Sequence, residues 1–129
     1  MIKAYLVGIS THYEGEDIEI RYSIYRDEEL IEKRTTFHEF VKPAIVNQVA
    51  LLSLLKELEK YRGEEITVIM NDAAINEQIK GTTQTKNKDV LKISRITRDE
   101  LRRFDPIILI QDISGNKNEI AKWDEILQP

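Results

Sequence analysis

Two polar side chains follow a strand near the middle of the chain, at a position where ligands often bind. Residues 66–70 read I-T-V-I-M and predict a buried strand, which is followed by Asn71, Asp72 and a short helix. In α/β domains, ligands usually bind in the crevice at the carboxyl end of a strand. The amide of Asn71 and the carboxylate of Asp72 are therefore the first candidates for a binding site. The alternative interpretation is that Asp72, which directly precedes Ala73, caps the helix.

A group of basic residues after this helix is the second candidate. Residues 79–104 hold eight of the 19 bases and three of the 23 acids, which gives +5, whereas the remainder of the chain carries −9. A basic segment on an acidic protein is typical of a surface that faces phosphates. The candidate phosphate-binding residues are Lys80, Lys86, Lys88, Lys92 and Arg95. The alternative interpretation is a solvated helix surface that binds nothing.

The composition excludes several other classes of site. The chain of 129 residues has no cysteine, so disulfides, thiol nucleophiles and cysteine zinc sites are absent. His12 and His38 lie far apart in the sequence and make a poor zinc-binding set without cysteines. No apolar run approaches the roughly 20 residues that a membrane-spanning helix needs. We therefore expect a cytoplasmic protein that forms one domain over residues 1–129, with no membrane partner.

The hydrophobic pattern predicts five strands and several helices that position these candidates. The strands are expected at 2–10, 18–25, 30–37, 66–70 and 107–111, and the helices at 43–62, 73–80, 89–95, 98–104 and 119–127. The first three strands, joined by short polar turns such as 11–17, indicate an antiparallel meander. The later strands alternate with helices, which indicates a mixed sheet covered by helices. Thr97 and Glu100 have the spacing of a capping box, and this spacing predicts a helix break between 95 and 98.

Several apolar residues are interpreted as packing and not as binding surfaces. One side of the helix predicted at 43–62 carries a stripe formed by Asn47, Leu51, Leu54 and Leu58. This stripe is typical of a helix that packs on a sheet, although such helices also build homodimers. The larger aromatic residues are Tyr5, Tyr22, Phe37 and Trp123. We interpret these rings as core residues and not as a platform for stacking bases.

Several short motifs, in this order, resemble type 1 ribonucleases H and their reverse-transcriptase-like relatives. The motifs are Q-I-K-G at 78–81, N-Q-V-A-L at 47–51 and D-I-S-G-N-K-N-E-I-A at 112–121. With the order of the elements, the resemblance covers nearly the whole chain. It implies an α/β ribonuclease H-like fold: a five-stranded mixed sheet, an antiparallel meander followed by parallel strands, flanked by helices in the order βββαβαβα. It also implies hydrolysis of RNA in RNA–DNA hybrids by two Mg²⁺ or Mn²⁺ ions held by four carboxylates.

The four carboxylates of the resembled family are all replaced in this chain. The matched positions are Val7, Asn47, Asn71 and Lys122. Valine cannot bind a metal, asparagine keeps an oxygen but loses the charge, and lysine brings a positive charge. The family's glycine-rich loop after the first strand and its loop histidine before the last helix are also missing. The resemblance therefore predicts no catalytic residue and no metal at the family's positions.

Three functional hypotheses remain open at this point. The first is a non-catalytic domain that binds a nucleic-acid duplex or RNA–DNA hybrid through the basic helical segment, where the family often carries a substrate-handling helix. The second is an active nuclease that binds Mg²⁺ or Mn²⁺ through the displaced acids Asp72, Asp112 and Glu119. The alternative for each of those acids is a solvated side chain or a helix cap. The third is an interaction scaffold with a protein partner or a homodimer and no nucleic-acid role.

Overall fold

The computed structural model describes residues 1–11 and 13–129, so His12, in the predicted turn at 11–17, lies outside the described residues. The strands are β1 (Ile2–Ile9), β2 (Ile18–Arg26), β3 (Glu29–His38), β4 (Ile66–Met70) and β5 (Leu109–Asp112). The helices are α1 (Val46–Leu58), α2 (Ile75–Lys80), α3 (Lys88–Leu101) and α4 (Lys117–Ile126). Short 3-10 turns at Pro43–Ile45 and Glu59–Tyr61 flank α1. Across 1–11 and 13–129, no helix has both the length and the apolar character needed to cross a membrane.

The five strands form one mixed sheet in the order β3-β2-β1-β4-β5. β1 pairs antiparallel with β2, and β2 with β3, as the short turns predicted. β1 pairs parallel with β4, and β4 with β5. The predicted fold class is therefore confirmed, and the carboxyl ends of β1, β4 and β5 lie at the same end of the sheet.

The two faces of β1 contribute to two separate cores, because successive strand residues point to opposite faces. Ile2, Ala4 and Leu6 pack into the larger core, which α1, α2 and the end of α3 cover. Tyr5 packs into the smaller core under α4, where the Trp123 indole N–H donates a hydrogen bond to the Leu6 carbonyl oxygen (3.0 Å). The apolar character of both phases of this strand thus reflects burial on both faces.

The predicted stripe on the first helix is confirmed as packing. Leu51, Leu54 and Leu58 are fully buried in the larger core. The predictions for the aromatic residues are confirmed for Tyr5 and Tyr22, and Trp123 is half-buried. The prediction for Phe37 is wrong, since its side chain is exposed on the edge strand β3.

The predicted helix break before Arg98 is also wrong, because α3 runs without interruption through this point. Its N-cap is Asn87, whose side chain accepts from the backbone N–H groups of Asp89 and Val90. Thr97 is fully buried, and its hydroxyl is shared between the Ile93 carbonyl oxygen (2.8 Å) and Gln48 Oε1 (2.9 Å). Thr97 is therefore a core residue, and its spacing from Glu100 does not mark a helix cap.

Tyr22 gives the fold a predicted sensitivity to alkaline pH. Burial is the largest cause that raises the pKa of Tyr22 above its ordinary value of 10.0. The negative charges of Glu57 and Glu32 raise the pKa further, and the positive charges of Arg34 and Lys60 lower it by less. Because the pKa is higher in the folded state, the free energy of unfolding is unaffected by this group below about pH 10 and falls as the pH rises through the folded-state pKa. Urea unfolding across this range should show a smaller alkaline loss in Tyr22→Phe. An identical loss in both proteins would contradict this assignment.

Candidate functional site

A cavity of about 350 Å³ opens at the carboxyl ends of β1 and β4. Its lining residues are Gly8, Ile9, Ser10, Pro43, Ala44, Val46, Asn47 and Asp72. Strand β1 supplies one wall, the start of α1 supplies another, and the turn after β4 supplies the acid. The structure thus brings together two predicted site residues, Asn47 and Asp72.

Gly8 allows β1 to approach α1 closely at this cavity. A Cβ atom at residue 8 would lie 2.8 Å from Val46 Cγ1, 3.1 Å from the Val46 carbonyl oxygen and 3.2 Å from Ala50 Cβ. These distances are too short for a side chain without movement of the helix. A glycine at this position is therefore required by the packing that places Asn47 beside the strand.

Replacement of Gly8 by alanine is expected to lower the free energy of unfolding by about 1–3 kcal/mol, because the new methyl group overpacks the strand–helix contact. Chemical denaturation measures this effect. The matched control is Gly115→Ala, since no atom lies within 4 Å of the Cβ position there. Equal unfolding free energies for the two variants would show that α1 moves freely at Gly8.

The side chain of Asn47 bridges β1 and the turn after β4. Its Oδ1 accepts a hydrogen bond from the Gly8 N–H (3.3 Å), and its Nδ2 donates to Asp72 Oδ2 (3.0 Å). The other Asp72 oxygen accepts from the Ala74 N–H (2.9 Å). The N-cap of α2 is Ala74 and has no side-chain cap, so Asp72 closes the turn and does not cap the helix. Both polar atoms of Asn47 and both oxygens of Asp72 thus have protein partners.

The other positions matched to the family do not converge on this cavity. Val7 is half-buried and packs against the core under α4. Asn71 is exposed, so Asp72 is the residue that faces Asn47. Lys122 lines a different cleft with Lys3 at the amino end of β1, about 16 Å of strand away from Gly8. The structure therefore does not place the lysine charge at the cavity, contrary to what the resemblance implied.

The displaced acids are not assembled into a metal site. Asp112 ends β5 and accepts hydrogen bonds from the Ser114 N–H (2.8 Å) and hydroxyl (2.9 Å). Glu119 is half-buried in the first turn of α4. In the part of the chain that the structure describes, no three acids or histidines are grouped so that they could hold a metal ion. A pair of divalent ions requires several converging carboxylates, and among the described residues that line the cavity only Asp72 supplies one, so these residues do not fit such a centre.

The predicted bases are all exposed, and we refer to them together as the basic surface. It consists of Lys80, Lys86, Lys88, Lys92 and Arg95. The last three lie at i, i+4 and i+7 on α3 and therefore share one side of the helix. Within the described residues, none of these five bases forms an ion pair, whereas Arg102 and Arg103 pair with neighbouring acids.

The amino end of α3 lies beside the rim of the cavity. Lys42 forms an ion pair with Asp89 in the first turn of α3 (3.8 Å), and the next residue, Pro43, lines the cavity. The basic surface thus begins next to the site at the strand ends. Sequence reasoning missed Lys42 and Ser10 as neighbours of this site, and the only signal for Lys42 was its position before the proline that begins the helix.

No family model matches the chain, and no curated protein matches its sequence. Solved structures do share its fold. Ribonuclease H1 LC11, isolated from compost by a metagenomic approach, has a TM-score of 0.78 and 16% identity over 98% of this chain and 91% of that chain. The same protein in complex with an RNA/DNA hybrid has a TM-score of 0.77 and 17% identity over 98% of this chain and 94% of that chain. Ribonuclease H1 of Halobacterium salinarum has a TM-score of 0.77 and 17% identity over 92% and 89%.

Proposed function

We propose that this chain, which has the ribonuclease H-like fold, binds duplex nucleic acid or an RNA–DNA hybrid through its basic surface and does not cleave it. The observation that carries the proposal is the set of unpaired bases on α3. Lys88, Lys92 and Arg95 share one side of the helix, are exposed, and have no acid partner among residues 1–11 and 13–129. Exposed lysine and arginine side chains without acid partners are the groups that contact phosphate oxygens in complexes with nucleic acid.

The position of the basic surface supports a duplex or hybrid as the ligand. It lies next to the cavity at the strand ends, and LC11 ribonuclease H1, which has the same fold, has been solved with an RNA/DNA hybrid. The contacts would be to the phosphate backbone, so we expect binding that depends on salt and little on sequence.

The absence of cleavage is proposed from the chemistry of the cavity. Asp72 is the only carboxylate among the described residues that line it, and its two oxygens accept hydrogen bonds from Asn47 and Ala74. Val7 and Asn71 supply no charge in place of the family's carboxylates. The Asn47–Asp72 bridge holds β1, α1 and the turn after β4 together, so these side chains act in structure and not in catalysis.

The test is a binding titration with a fluorescein-labelled RNA–DNA hybrid in MgCl₂, measured by anisotropy at about 50 and 200 mM KCl. We expect saturable binding that weakens strongly at the higher salt, with intact RNA on a denaturing gel. No binding at the lower salt would contradict the proposal. The same titration with duplex DNA and single-stranded RNA identifies which nucleic acid the surface prefers.

A nuclease with displaced acids is the outcome that would overturn the non-cleaving part of the proposal. Asp72 lies at the cavity, and Asp112 ends the neighbouring strand, so these two are the first residues to test. Cleavage of the hybrid in MnCl₂ that is lost in Asp72→Asn, while binding is retained, would establish that activity. Intact RNA in both MgCl₂ and MnCl₂ would support a binding protein.

A further inference from the structure

A groove of about 540 Å³ lies at the β5 edge of the sheet, on the side of α2 and α3. We call it the edge groove. Its walls come from α2, the carboxyl-terminal half of α3 and residues 107–110. The groove contains none of the residues that line the cavity at the strand ends, and it shares only Lys80 with the basic surface.

The edge groove exposes apolar side chains. Ile107 is 71% exposed and Leu109 is 62% exposed, whereas Ile108 and Ile110 are buried in the larger core. These two exposed aliphatic side chains lie two residues apart beside an open groove and so form a small apolar patch. Contiguous apolar patches of this kind are typical of interaction sites.

The free edge of β5 also presents a backbone hydrogen-bonding group beside the groove. The Ile113 N–H donates to the Met70 carbonyl oxygen (3.0 Å), so Ile113 and Gln111 direct their backbone groups toward β4. Since this direction alternates along a strand, Ile110 directs its backbone groups outward. Its carbonyl oxygen accepts from the Asn76 side chain (3.0 Å), and its N–H points out of the sheet edge.

The charges around the edge groove are positive. Lys80 and Arg98 line it together with Arg102, which is exposed and pairs with Asp99 at 3.2 Å. The Arg98 side chain is held in place, because its Nε donates to the Ile79 carbonyl oxygen at 2.7 Å. A molecule that enters the groove thus meets aliphatic side chains on the strand side and the cations Lys80, Arg98 and Arg102 on the helix side.

We propose that the edge groove docks a segment of a partner protein that alternates acidic and aliphatic residues. The aliphatic side chains of such a segment would cover Ile107 and Leu109, and its carboxylates would pair with Arg98 and Arg102. Charge complementarity selects this partner over a neutral apolar one. The exposed aliphatic wall selects it over nucleic acid, whose phosphates gain nothing from Leu109.

The test uses a fluorescein-labelled peptide, Asp-Leu-Glu-Ile-Asp-Leu-Glu-Ile, in an anisotropy titration with the full chain. One comparison peptide replaces the acids by asparagine and glutamine, and another replaces the aliphatic residues by serine. We expect each comparison peptide to bind about tenfold more weakly, because the groove uses both kinds of contact. Equal binding of all three peptides would overturn the proposal.

Variants of the chain locate the contact. The double variant Ile107→Ser/Leu109→Ser and the single variant Arg102→Glu should each weaken binding of the acidic peptide about tenfold. The matched control is Leu91→Ser, which removes an exposed leucine on α3 that does not line the groove. Loss of binding in the control, or retention in both groove variants, would contradict docking in this groove.

Two measurements distinguish the proposed partner from two other molecules that could occupy the groove, a second copy of the chain and nucleic acid. A dimer of the wild-type chain in sedimentation that disappears in Ile107→Ser/Leu109→Ser would show that a second copy fills the groove. Weaker binding of the labelled hybrid by the same variant would show that nucleic acid does. Either result would overturn the proposal, and the sedimentation result does not depend on whether the basic surface binds a hybrid.

Discussion

Replacement of Lys88, Lys92 and Arg95 together by glutamine is expected to weaken hybrid binding about 30-fold at moderate salt, which corresponds to ~0.7 kcal/mol for each exposed contact. The slope of log affinity against log salt should become shallower by about 3, because each phosphate that loses its cation no longer releases a counterion. Anisotropy titrations at several KCl concentrations measure both quantities. The three side chains are exposed and unpaired within the described chain, so the fold should be unaffected.

The control is a variant with the same change in net charge at another place. Lys33, Lys56 and Lys122 are exposed and lie on β3, α1 and α4. Their joint replacement by glutamine should leave the salt slope almost unchanged if α3 forms the contact. A similar loss in both triple variants would show a general electrostatic attraction, and an unchanged slope in the α3 variant would remove the proposed surface.

The sheet was predictable because its signals are local. The strand β4 has the predicted bounds, and the alternation of β2 marks its buried face from Ile18 to Ile24. β5 begins two residues later than predicted, because Ile107 is apolar but lies outside the ladder. Apolar β-branched residues favour a strand whether or not a partner strand is within reach, so the sequence cannot mark where pairing begins.

The site was predictable only in part, because it depends on which residues meet across the fold. The place of Asp72 followed from its position at a strand end, but its contact with Asn47 joins residues 25 apart. Lys122, which the resemblance aligned with a metal-binding position, lies away from the cavity for the same reason. Helix α4 runs back along the sheet, and Lys122 reaches the end opposite the cavity. The distance between Lys122 and the cavity depends on the direction in which α4 crosses the sheet.

Gln48 shows most clearly what the sequence could not reveal. It is a polar residue in the first turn of α1, yet it is buried between α1 and α3. Its Nε2 donates to the Ser94 hydroxyl (2.8 Å), and its Oε1 accepts from Thr97 (2.9 Å). The spacing of Ser94 and Thr97 on α3 is i, i+3, so both hydroxyls face the same amide. These polar side chains find hydrogen-bond partners only because α1 packs against α3.

The replacement Thr97→Val should therefore lower the free energy of unfolding by about 1–3 kcal/mol. Valine has nearly the same shape as threonine, so the packing is kept, but Gln48 Oε1 loses its donor in a buried place. The Gln48 Nε2 contacts with Ser94 and with Gln78 (3.4 Å) do not compensate, because they involve the donor and not the oxygen. Urea unfolding followed by circular dichroism measures this change.

The triple variant Gln48→Leu/Ser94→Ala/Thr97→Val separates lost hydrogen bonds from an orphaned oxygen. It removes Gln48 together with both hydroxyl partners and leaves only the half-buried Gln78, whose contact with Gln48 is long (3.4 Å). We expect a stability within about 1 kcal/mol of the wild type, since an apolar replacement of similar volume leaves no fully buried polar side-chain atom unpaired at this contact. If the triple variant is less stable than Thr97→Val alone, the hydrogen bonds themselves stabilise the contact between α1 and α3. If it is as stable as the wild type, the hydrogen bonds add little net stability, and the cost of the single replacement is that of one unpaired oxygen.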